Sequence, residues 1–121
     1  MRWLDTACAD LAIAKITLPQ GGMYEQLCFH AQQAVEKSIK AVLLKVGIDF
    51  PFTHNLQPLI DILPQELSDN PVLAESVFLN PYAVATRYPG EFEPVTEEEY
   101  LEALRIAENI VNWAQTIIHE K

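Results

Sequence analysis

The stretch from Met23 to Val46 contains neither Pro nor Gly, and it stops at Gly47. Leu27, Ala31, Ala34, Val35, Ile39, Val42 and Val46 return at helical spacing along it. At 1.5 Å of rise per residue, such a helix is on the order of 36 Å long. A rod of that length sets the dimension of whatever packs on it. Glycine at position 47 suits its end, because the left-handed conformation that closes helices carries no steric cost for glycine.

The opposite arc of this helix is polar. It holds His30, Gln33, Glu36, Lys37 and Lys40. The ordinary reading is a solvated face with Glu36 and Lys40 as an i,i+4 pair. Phe29 and Leu44 fall in the same arc, which points to partial cover. Gln32 projects toward the edge of the apolar arc, where it needs a hydrogen-bond partner.

The rest of the chain reads as helical around this rod. Arg2 to Ile16 carries Leu4, Ala7, Leu11 and Ala14 on one stripe, and "TLPQGG" breaks it. "IDFPFTH" is a loop, and a short helix is expected from Asn55 to Leu63, ended by Pro64. Asn70 as N-cap and Pro71 at the first helical position open a fourth helix, closed by Pro81. Residues 82–95 read as irregular. Thr96 and Glu99 form a T-x-x-E capping box that opens a last helix reaching His119.

That last helix shows two adjacent apolar stripes. Leu104, Ala107, Val111, Ala114 and Ile118 form one; Ile106, Ile110, Trp113 and Ile117 form the other. A surface helix normally shows one. The helix therefore sits between neighbours in the bundle, or one stripe faces a second subunit. The expected fold is all-α: an up-and-down antiparallel bundle of four to five helices in a single domain over residues 1–121.

Composition narrows the function classes. Only four Gly occur in 121 residues, which argues against a turn-rich all-β fold. Seventeen acids oppose eight Lys and Arg, giving a net charge of −9 without any run of bases. General nucleic-acid binding is disfavoured, since it needs clustered cations on phosphates. No apolar run reaches the roughly 18 residues of a membrane span. Asp5 and Asp10 make the N-terminal stretch unlike a signal peptide, so a cytoplasmic protein is expected. Cys8 and Cys28 are expected to be buried reduced thiols. The three His residues show no metal-ligand spacing, and neither a G-x-G-x-x-G nor a Walker A sequence is present, so no metal or cofactor is expected.

"CFHAQQAVEKSIKAVL", then Gly47, then "THNL" at 53–56, then "ATRYP" at 85–89 resembles a HEPN domain (higher eukaryotes and prokaryotes nucleotide-binding). The resemblance runs from about Leu4 to Ile118. It implies an all-α bundle, commonly a homodimer, and frequent pairing with a minimal nucleotidyltransferase, often as a toxin–antitoxin system. One branch of the family contains metal-independent ribonucleases with an Arg followed four to six residues later by a His. Arg2, Arg87 and Arg105 are none of them followed by His at that spacing. The chain is therefore expected not to be an enzyme.

Two further positions carry open readings. His54 is either a loop anchor or a ligand-contacting group. Arg87 either packs on Tyr88 and pairs with an acid, or binds an anion. The functional alternative places Gln33, Lys37, His54, Arg87 and Tyr88 in one polar cleft for a nucleotide or another anion, with Arg as a phosphate donor and Tyr as a stacking surface. The expected function is a small dimeric helical module that associates with a nucleotidyltransferase-type partner and takes a nucleotide ligand, without catalysis. The alternative is an RNA-processing or toxin-type ribonuclease with an atypical active site.

Overall fold

The computed structural model describes residues 2–18, 23–83 and 95–119. Among these the chain forms α1 (Arg2–Ala14), α2 (Tyr24–Lys45), α3 (Leu56–Asp61), α4 (Gln65–Ser68), α5 (Pro71–Ser76), a 3₁₀ segment (Val77–Ala83) and α6 (Glu97–Ile118). The architecture is all-α, as expected, with six α-helices among the described residues rather than four to five. The central rod α2 packs along both α1 and α6, and its Val35, Ile39, Val42 and Leu43 are fully enclosed. Leu56, Leu59, Leu73, Leu79 and Ile110 close the core around them. Each such side chain gains about 1.5–3 kcal/mol from leaving water.

Side-chain contacts fix the directions of the long helices. Trp3 lies near Lys40, and Asp10 bonds His30 and Lys37, so α1 runs opposite to α2. At the other end Tyr100 donates to the Ala14 carbonyl and stacks on Tyr24, with ring centroids 5.1 Å apart. Burial pushes the Tyr100 phenol above its ordinary pKa. The Tyr24 hydroxyl donates to Glu97 at 2.9 Å, and Glu25 accepts the Val95 N–H at 2.7 Å. The short helices thus carry the chain back, and α6 begins at the same end as α2.

Both apolar stripes of α6 are used inside the chain. Ile106 and Ile110 are buried with Ala107, Val111 and Ala114, and Trp113 and Ile117 are half-buried. Within the chain the helix sits between neighbours, with Trp113 and Ile117 still partly open to solvent.

Several ends differ from expectation. The first helix stops at Ala14 rather than Ile16, and α4 has no counterpart in the sequence reading. The fourth helix is α-helical only to Ser76, then tightens into the 3₁₀ segment with Pro81 inside it. The Pro81 ring would crowd the carbonyl four residues before it in an α-helix, that of Val77, and the 3₁₀ segment begins there. Asn80 pins that segment to α3, accepting the Leu56 N–H at 2.9 Å and donating to Asn55 at 3.1 Å. Gly47 closes α2 with φ +79°, as its place predicts. Cys28 is buried, but Cys8 is only half-buried and its sulfur accepts from Gln115.

The α6 capping box forms in both directions: Thr96 Oγ1 accepts the Glu99 N–H at 3.1 Å, and Glu99 accepts the Thr96 N–H at 3.0 Å. Thr96→Ala is expected to lower stability by about 1 kcal/mol. A urea midpoint that does not move would show that the box adds nothing to this helix.

Candidate functional site

The polar arc of α2 is not a solvated face. Helix α1 and the loop after Gly47 cover it, and its charges form a seam centred on two carboxylates. Glu36 is 2% exposed and Lys40 5% exposed. The reading of these two as a surface pair is overturned by that cover: the i,i+4 contact forms at 3.0 Å, but inside the protein. Ions held away from water need their partners, because an isolated buried charge is costly.

Each carboxylate holds one lysine and one histidine. Asp10 of α1 accepts from Lys37 at 2.6 Å and lies 3.0 Å from His30 Nδ1. Glu36 accepts from Lys40 and lies 3.1 Å from His54 Nδ1. An ionised carboxylate only accepts, so both imidazoles direct a protonated Nδ1 at their carboxylates. Lys40 also rests over the rings of Trp3 and Phe50, at 5.3 and 5.7 Å from their centroids. That contact replaces part of the ammonium's lost hydration.

Gln32 meets the need its position implied. Fully buried, it donates to the His54 carbonyl at 3.2 Å and reaches Glu36 at 3.5 Å, and its oxygen accepts from Gln33 at 2.8 Å. His54 is therefore held through both its backbone and its ring, while its side chain stays 63% exposed. Gln33, Gln32, Glu36 and His54 form one connected set of bonds. Lys37 belongs to the neighbouring Asp10 cluster. Arg87 and Tyr88 lie outside the described residues.

The sequence reading missed Asp10, Trp3 and Phe50. A signal for Asp10 was present: it lies three residues after Ala7 and four before Ala14, inside the apolar stripe of α1. A carboxylate on a buried stripe calls for a cation on the facing helix. Among the described residues no group of three His, Cys, Asp or Glu is placed to hold a metal ion. Among them, too, no helix is long and apolar enough to cross a membrane.

Among the described residues the chain thus presents a core of three long helices with a charged seam along α2. The HEPN domain family model matches residues 1–117, and the chain belongs to that family. A protein of Methanocaldococcus jannaschii named "Putative toxin MJ1304" is 30% identical, across 93% of this chain and 83% of that protein. The crystal structure of TT1696 from Thermus thermophilus superposes with a TM-score of 0.78 at 29% identity, covering 96% of this chain and 95% of that one. ST0689, described as an archaeal HEPN homologue, gives a TM-score of 0.71 at 30% identity, covering 97% and 95%.

Proposed function

We propose that this chain is a non-catalytic, homodimeric HEPN module of a toxin–antitoxin-like pair, working in the cytoplasm through a minimal nucleotidyltransferase partner. One observation carries the reading. Both lysines and both histidines of the seam are committed to carboxylates: His30 and Lys37 to Asp10, Lys40 and His54 to Glu36. RNA cleavage needs an acid–base group beside a donor that stabilises developing negative charge. The Arg–His spacing that supplies both in the ribonuclease branch does not occur in the sequence. The toxin name of the archaeal relative supports the toxin–antitoxin context. The nucleotide ligand of this reading is assigned to Gln33, Lys37, His54, Arg87 and Tyr88, of which Gln33 and the exposed His54 share one connected set of bonds.

The test has two arms. The purified chain is expected to leave a mixed single-stranded RNA intact, and to co-elute with a minimal nucleotidyltransferase co-expressed with it. Cleavage that disappears in His54→Ala would establish the ribonuclease reading instead. That outcome has one structural argument in its favour, since a buried carboxylate already orients the His54 ring.

A further inference from the structure

A second face of the molecule has no part in the seam. The 3₁₀ segment and the first turns of α6 enclose an open groove of about 380 Å³. Its apolar floor is Phe78, Leu79, Tyr82, Ala103 and Ile106. Glu98, Glu99 and Glu102 line the same groove. Phe78 is 73% exposed and presents its ring along that apolar floor.

The charges of the rim are only partly compensated. Arg105 holds Glu102 and Glu75 together, each at 2.6 Å. Its bonds keep the Glu102 carboxyl below the usual carboxylate range. Glu99 is bonded to a backbone N–H and Glu98 has no ion pair among the described residues. The groove thus pairs an apolar floor with a net negative rim. A second copy is a poor occupant. Two-fold docking through one patch sets that patch against itself, and here glutamate would face glutamate.

We infer that this groove is the docking site for a basic amphipathic segment of a partner protein, with apolar side chains on Phe78 and Ile106 and Lys or Arg toward Glu98 and Glu99. Amphipathic helices are read by grooves in this way, through spaced apolar anchors and flanking charge. The inference rests on the proposed function only in assuming that the chain acts through a partner.

The experiment uses two synthetic amphipathic peptides, each about 15 residues long and with the same leucine face. One carries Lys on its polar face and the other Glu. Binding to the whole chain is followed by titration calorimetry at low and moderate salt. The Lys peptide is expected to bind and to weaken as salt rises, and the Glu peptide is expected not to bind. Phe78→Ser and Glu98→Lys should each weaken the Lys peptide roughly tenfold. Phe52→Ser, which removes a ring that is 98% exposed and not among the groove's lining residues, should leave it unchanged. Circular dichroism confirms that each variant is folded. No binding by wild type, equal binding of both peptides, or an equal loss in Phe52→Ser would overturn the proposal. So would light scattering that shows a dimer converted to monomer by Phe78→Ser, since a second copy would then be the occupant. If the nucleotidyltransferase co-elutes while the Lys peptide fails, the groove assignment falls and the proposed function stands. The reverse result removes the nucleotidyltransferase and keeps the groove.

Discussion

Lys40→Met is expected to destabilise the protein by about 3–5 kcal/mol, because it leaves the enclosed carboxylate of Glu36 without its ammonium partner. Glu36 is 2% exposed, so water cannot take the lysine's place. His54 and Gln32 remain in contact with it, but His54 is half out in solvent. The methionine keeps most of the packing on Trp3 and Phe50, so the change isolates the charge. Adding Glu36→Leu to this variant should restore most of the loss, since two apolar residues in place of a buried ion pair are often neutral or stabilising. Urea denaturation of wild type, the single variant and the double variant reads the cycle. A single variant as stable as wild type would mean that solvent reaches Glu36 after all. A double variant no better than the single would place the lysine's role in packing rather than charge.

Ile110→Ala should cost about 2–5 kcal/mol, the range for deleting a large side chain from a closed core. Ile110 is fully buried within one chain. Its loss should therefore be the same at every protein concentration. Leu101, one helix face away and 52% exposed, should tolerate Ala within about 0.5 kcal/mol. Denaturation midpoints measured across a wide concentration range check both. An Ile110→Ala effect that shrinks or grows with concentration would mean that the residue is stabilised by a second subunit.

The long helices were legible because their signals are local. Gly47 ends α2, Thr96 and Glu99 start α6, and apolar residues recur at helical spacing between. The short elements were less so. Helix α4 is a single turn, too brief for any periodicity, and the Ser76 to Ala83 region depends on how Pro81 and Asn80 settle against α3. Gln32 was legible as a buried polar group in need of a partner, but its partner was not: the His54 carbonyl is 22 residues away along the chain. The same limit applied to Glu36 and Lys40. Their i,i+4 spacing gave the contact, whereas the cover over Lys40 comes from Trp3 and Phe50, both outside that helix. Spacing along one helix says which groups touch and leaves open what lies over them.

The seam bears on how the molecule meets others in solution. Its two lysines cancel its two carboxylates, so the whole net charge of −9 is carried by the rest of the chain. The outward field is then one-signed at long range. Cationic surfaces are drawn in faster than free diffusion alone would bring them, while anionic ones are slowed before any contact forms. Because that field decays over about 8 Å at physiological ionic strength, salt governs the rate of encounter, whereas the Glu36–Lys40 pair, enclosed from solvent, holds its strength.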